Sequence, residues 1–296
     1  MYKRQLLDLL RNRTARLHAP AIVTLRKGVG TPLFLFPGAG GNSVYFHALA
    51  QALPAHGPVI GVQAVGLDGD DAPHETVAAM AAHAVTHIRR VQATGPYLLA
   101  GHSLGGRVAF EVARRLEDAD GQIALLAVLD TPAPLPGSEA AAPSARDAAD
   151  DLAWLDEVRE IIEVTTGRVL EIDLAALRAL DNRDRIAAVA AQLTSSGLLH
   201  DGRLARGFIG VYQAAVRMSY EARGSIAAPI AVFRTSTDPA PPTWGWERLT
   251  TVGASAIDVP GAHISMLMPP HVTTLASRLG SVLSYITDPA GASTVV

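Results

Sequence analysis

A chain of 296 residues with 49% hydrophobic and 18% charged side chains has enough apolar material for one large core and too little charge to stay disordered. A net charge of −3, with no dense basic cluster and no apolar run of membrane length, argues against nucleic acid and membrane partners. The lack of cysteine excludes disulfides, thiolate nucleophiles and Cys-based zinc sites, and fits a reducing compartment, so the expected location is cytoplasmic.

From the N-terminus, Met1 to Leu17 carries Lys3, Arg4, Arg11, Arg13 and Arg16 between apolar residues without an unbroken hydrophobic run. Residues 1–20 are therefore expected to form a linker or helix and not a secretory signal. Short apolar runs bounded by Gly and Pro then predict buried strands at Leu33–Phe36, Val59–Val62, Tyr97–Ala100, Ile123–Leu129, Ile230–Phe233 and Ala256–Val259. Helical spacing between them predicts helices over Val44–Leu53, Thr76–Val91 and Leu104–Leu116. This alternation specifies an α/β class with a mostly parallel central sheet flanked by helices, in a single domain covering 1–296. After Asp130 the alternation stops at a Pro-rich turn. Apolar repeats at Leu152–Ile162, Leu174–Leu180, Ile186–Leu193 and Phe208–Tyr220 predict four amphipathic helices there. Residues 137–225 are expected to form a helical lid insertion over the C-terminal edge of the sheet; the plainer alternative is that they extend the core. Residues 288–296 are small and polar, and a flexible tail is expected.

The chemistry centres on Gly101-His102-Ser103-Leu104-Gly105, where an apolar strand runs into Gly-x-Ser-x-Gly and then a helix. Such an elbow lifts a serine Oγ above the sheet, and the flanking glycines are needed because Cβ atoms there would collide with neighbouring backbone. A serine nucleophile needs a base, and histidine titrates in the useful range. His263, after the strand Ala256–Val259, lies on a loop at the edge where the elbow opens; His271 is the backup, and His102 should point away from Ser103 and pack. An orienting acid must also end a strand. Asp130, directly after Ile123–Leu129, is preferred, and Asp238, beyond Ile230–Phe233, is the alternative acid. Backbone N–H groups of Ala39, in Phe36-Pro37-Gly38-Ala39-Gly40-Gly41-Asn42, and of Leu104 are the expected oxyanion-hole donors. Gly38-x-Gly40-x-x-Ser43 lacks the third glycine of a dinucleotide turn. Asp68-Gly69-Asp70-Asp71 lacks the spacing and closing Glu of a calcium loop, so no metal site is expected.

These motifs, with Gly66-Leu67-Asp68-Gly69, Pro73-His74, Trp246-Glu247-Arg248-Leu249 and Val259-Pro260-Gly261-Ala262-His263, resemble the thioesterase domains that end non-ribosomal peptide and polyketide synthases, over roughly Pro32 to Leu283. The resemblance implies an α/β-hydrolase fold and a serine thioesterase. It would release an acyl or peptidyl chain from a carrier protein by hydrolysis or macrocyclisation, through an acyl ester on Ser103. It implies an acyl or peptidyl carrier protein as partner and an acyl or peptidyl thioester as substrate, with no cofactor beyond the carrier's phosphopantetheine. In that family the acid commonly follows the strand after the nucleophile helix, as Asp130 does. The discrete editing (type II) thioesterases usually draw it from the later strand, where Asp238 lies. A carboxylesterase or lipase acting on free esters, and a binding module on an inactive hydrolase fold, are the other functions considered.

Overall fold

The computed structural model of the chain describes residues 20–54, 57–142, 152, 154–199, 201–235 and 242–287. Nearly all of the expected N-terminal linker, the 288–296 tail and Asp238 lie outside the described residues.

Among the described residues seven strands form one sheet: β1 (Ile22–Arg26), β2 (Leu33–Phe36), β3 (Val59–Val62), β4 (Tyr97–His102), β5 (Ile123–Leu129), β6 (Ile230–Arg234) and β7 (Ala254–Asp258). Their order is β1-β3-β2-β4-β5-β6-β7. All neighbours are parallel except β1, which pairs antiparallel with β3 at the edge. The parallel pairs are joined through helices α1 (His47–Ala52), α2 (Val77–Val91) and α3 (Leu104–Glu117), while α8 (Val272–Thr287) closes the chain. Every residue of β2, β3 and β4 is buried, as required of strands covered on both faces. Alternate residues serve opposite layers. Phe34, Phe36 and Leu99 join the core under α2 and α3, whereas Leu33, Leu35 and Leu98 join the core under α1 and α8.

Several elements differ from the sequence expectation at their ends, and β1 was not expected at all. β1 has no buried apolar run, only the pattern of an edge strand, so tertiary pairing with β3 creates it. β7 starts two residues earlier than Ala256, because its register is set by Ile230↔Ala254 through Arg234↔Asp258, and the Val259 N–H bonds back to the Arg234 carbonyl at 2.9 Å.

Between β5 and β6 the described chain forms four α-helices, α4 (Trp154–Thr166), α5 (Leu174–Arg178), α6 (Asn182–Ser195) and α7 (Gly202–Val216). They enclose a third hydrophobic core of their own, including Leu155, Val158, Val189, Leu193 and Ile209. α7 starts earlier than Phe208 because the Asp201 carboxylate accepts the Arg203 N–H at 2.7 Å, a side-chain cap for the first turn. It stops before Tyr220 because the Tyr220 and Ala222 N–H groups bond the Ala141 and Pro134 carbonyls. No helix among the described residues is long and apolar enough to cross a membrane.

α7 is seated on the sheet domain by backbone contact. A Cβ at Gly207 would lie 2.5 Å from the Leu67 carbonyl oxygen and 2.7 Å from that of Gly66, neither of which is a side chain that could move aside. Gly207→Val is therefore expected to lower stability by about 1–3 kcal/mol in denaturant unfolding, the usual range for overpacking. An unchanged midpoint would contradict this seat.

Candidate active site

The ends of four adjacent strands build the site. In register, His102 faces Leu129, Leu129 faces Phe233, and Phe233 faces Ile257. The loops leaving β4, β5, β6 and β7 therefore emerge side by side, and they carry Ser103, Asp130, Thr235 and His263.

Ser103 sits between β4 and α3 at φ 55°, ψ −129°, a conformation that L-residues avoid and that surrounding structure must enforce. The enforcement is steric and hydrogen-bonded. A Cβ on Gly101 would run into the Gly105 carbonyl, and one on Gly105 into that of Phe36, so strand, turn and helix approach closer than any other residue permits. The Ser103 N–H bonds the Leu129 carbonyl at 3.2 Å, and its own carbonyl accepts from Gly106 N–H at 2.9 Å and from the Thr131 hydroxyl at 3.0 Å. Thr131 is fixed in turn by the buried Trp246, whose indole N–H donates to the Thr131 carbonyl at 2.6 Å.

Asp130 and His263, 133 positions apart, meet through a 2.7 Å hydrogen bond from His263 Nδ1 to Asp130 Oδ2. The other carboxylate oxygen accepts from the Thr235 N–H at 2.9 Å and its hydroxyl at 2.8 Å. Burial alone would raise the Asp130 carboxyl. The donors from His263 and Thr235 outweigh it and hold the group below the usual carboxylate range. An ionised Asp130 requires the proton on Nδ1 of a neutral His263, which leaves Nε2 as an acceptor. The Asp130 side chain is 10% exposed and that of His263 43%, so the acid is sheltered while the imidazole reaches the surface of the site. Among the described residues no hydrogen bond joins Ser103 Oγ to this ring; such contacts commonly tighten only when substrate is bound.

The loop after β2 lies against the elbow. A Cβ at Gly38 would be 3.2 Å from that of Ser103. The Gly41 N–H returns to the Gly38 carbonyl at 2.9 Å, making a turn with Ala39 and Gly40 at its centre. Leu104 is the first residue of α3, where N–H groups have no intrahelical acceptor, and the Ser103 side chain does not cap them. Ala39 packs partly against both the sheet core and the core of the inserted helices, and the Phe208 ring lies 3.1 Å from a Cβ built on Gly40.

A family profile described as a thioesterase domain matches residues 31–283. The chain belongs to the thioesterase domain family. Membership implies a hydrolase and places the chain with the thioesterase domains of peptide and polyketide synthases. Indigoidine synthase of Dickeya dadantii (strain 3937) is 29% identical over 267 residues, covering 89% of this chain and 17% of that protein. Polyketide synthase PksR of Bacillus subtilis (strain 168) is 34% identical over 114 residues, or 38% of this chain and 4% of that one. The solved Vlm2 thioesterase domain superposes with a TM-score of 0.63 at 25% identity, covering 88% of this chain and 96% of the other. This chain spans 17% or less of the length of these two curated relatives.

Thr235, Thr131 and Tyr45 are site residues that the sequence pattern did not single out. None of the three carried a distinguishing signal; Thr235 stands two residues beyond the predicted strand Ile230–Phe233. His102 is buried and does pack, and it also bonds: Nε2 lies 2.8 Å from the His263 carbonyl oxygen and Nδ1 3.2 Å from the Tyr45 hydroxyl. Burial, and secondarily the neighbouring His263, push its pKa down to about 3; the bond to the His263 carbonyl and the charge of Asp130 only partly oppose this. Against an unfolded value of about 6.5, the folded chain refuses a proton that the unfolded chain accepts. Stability contributed by this ring is complete above about pH 6.5 and is lost as pH falls toward 3, with a slope of at most about 1.4 kcal/mol per pH unit. Denaturant unfolding between pH 6.5 and 4.5 is expected to show a shallower pH slope for His102→Gln than for the wild type. Identical slopes would contradict a neutral, buried His102.

Proposed function

We propose that the chain is a serine thioesterase that releases an acyl or peptidyl group from the phosphopantetheine arm of a carrier protein. What supports this most is the 2.7 Å bond from His263 to Asp130 beside the elbow that holds Ser103 at positive φ. Ser103 Oγ attacks the thioester carbonyl while His263 Nε2 takes its proton. The Ala39 and Leu104 N–H groups receive the oxyanion. Collapse breaks the C–S bond, His263 returns the proton to the departing thiol, and an acyl ester remains on Ser103. Water then gives the free acid, or a hydroxyl or amine of the bound chain gives a ring. No cofactor beyond the carrier's phosphopantetheine enters these steps, and the proposed place of action is the cytoplasm.

In this reading the helices between residues 137 and 225 act as the lid that folds the acyl chain and governs water access. The clamp on Asp130 favours a releasing thioesterase over the editing subtype, whose acid would sit at Asp238. Membership in the thioesterase family favours thioesters over the free esters of a carboxylesterase.

Ser103→Ala is expected to abolish labelling by a fluorophosphonate probe. Asp130→Asn should lower turnover of a pantetheine thioester by roughly 10⁴-fold, while Asp238→Asn changes it little. Equal losses at the two aspartates would remove the assignment of the acid. Pantetheine thioesters should turn over much faster than simple esters of the same acid, and the opposite preference would point to an esterase. Mass spectrometry of the product from an acyl-loaded carrier separates the two outcomes, since a ring weighs one water less than the free acid.

A further inference from the structure

His102 is the only fully buried histidine among the described residues, and both of its ring nitrogens are engaged. On one side, the Gly38 N–H lies 2.7 Å from the Tyr45 hydroxyl oxygen, which lies 3.2 Å from His102 Nδ1. On the other, His102 Nε2 reaches the His263 carbonyl at 2.8 Å, and the two imidazoles pack with centroids 4.5 Å apart. The direction of donation is fixed by what each atom can do. A carbonyl oxygen only accepts, so Nε2 carries the proton. A neutral ring then accepts at Nδ1, and the Tyr45 hydroxyl, already accepting from Gly38, has its hydrogen free to donate there. The reverse arrangement needs a doubly protonated His102, which its burial opposes. A continuous chain of donors thus runs from Gly38 through Tyr45 and His102 to His263.

The ends of this chain matter. Gly38 precedes Ala39, the proposed oxyanion donor, and His263 is the proposed base. Tyr45 stands in the short 3₁₀ turn Ser43–Phe46, which is capped where Asn42 Oδ1 accepts the Val44 N–H at 2.9 Å. His102 ends β4, pairs with Leu129 of β5 and immediately precedes Ser103. The two loops are otherwise separate pieces of chain, and each must hold its group within a fraction of an ångström for the reaction to proceed. We propose that Tyr45 and His102 are positioning residues that form one hydrogen-bonded strut, setting the oxyanion loop and the His263 loop in fixed relation across the nucleophile elbow. This rests on reading Ser103, His263 and Ala39 as the reacting groups.

The test uses the full chain and compares the wild type with Tyr45→Phe, His102→Leu, His102→Gln and the double variant Tyr45→Phe/His102→Leu. Rates of fluorophosphonate labelling at Ser103 are measured with kcat and KM on a pantetheine thioester and with thermal unfolding. Tyr45→Phe and His102→Leu should each slow labelling and lower kcat by roughly 10- to 100-fold, with KM little changed and the fold retained. His102→Gln, whose amide can still donate to the His263 carbonyl, should recover much of the loss. Because a strut breaks once, the double variant should be no slower than the slower single variant. Multiplying losses, wild-type rates in the single variants, or losses that only track the unfolded fraction would overturn the strut. If His102→Leu does not fold, Tyr45→Phe decides alone, since it keeps the packed ring and deletes only the hydroxyl. Failure of the wild type to label at Ser103 would sink the underlying reading instead, and the strut with it.

Discussion

Asp130 is the point on which the site turns. A carboxylate 10% exposed at the end of β5 is costly unless it is paired, and here three donors from two other strand ends converge on it. The two bonds from Thr235 fix one oxygen, so the other has a defined direction in which to hold the His263 ring. Removing any of the three would leave a sheltered negative charge short of partners. The carboxylate and the loops after β6 and β7 therefore specify one another, and the geometry of the imidazole follows from the satisfaction of the acid.

The same logic of enforced closeness explains the elbow. Parallel strands bring β2, β4 and β5 into register, and the missing side chains at Gly101 and Gly105 allow helix, turn and neighbouring strand to interpenetrate. The strain at Ser103 is sustained because the Leu129 carbonyl and the Thr131 hydroxyl bind both sides of its peptide, and Trp246 locks Thr131 from within the core. The helices between β5 and β6 have a core of their own, while α7 rests directly on the Gly66–Leu67 turn and, through Phe208, beside the Gly38–Gly41 turn. α7 thus borders the turn whose Gly38 lies against Ser103.

Much of this architecture is legible in the amino-acid sequence. Strands buried on both faces are written as continuous apolar runs, so β2, β3, β4, β5 and β6 could be read with small errors at their ends. The elbow was readable because its steric demand falls on adjacent residues. β1 was not, since an edge strand with mixed exposure carries no apolar run and exists only through its pairing with β3. The residues that steady the site escaped for a related reason. Thr131, Thr235 and Tyr45 act through hydrogen bonds to positions far away in sequence, and a threonine or tyrosine in a loop looks the same whether or not it makes them. His102 was readable as buried, but its two bonds, to Tyr45 and to His263 161 positions away, are products of the folded sheet.

The most direct measurement is a crystal structure of the protein phosphonylated at Ser103 by a fluorophosphonate. The expected result places His263 Nε2 within hydrogen-bonding reach, roughly 3 Å, of an oxygen of the adduct, with Nδ1 still on Asp130 and the phosphonyl oxygen facing the Ala39 and Leu104 N–H groups. A His263 ring turned away from the adduct, or a phosphonyl oxygen pointing to solvent, would contradict the convergence of serine, histidine and aspartate at this edge of the sheet.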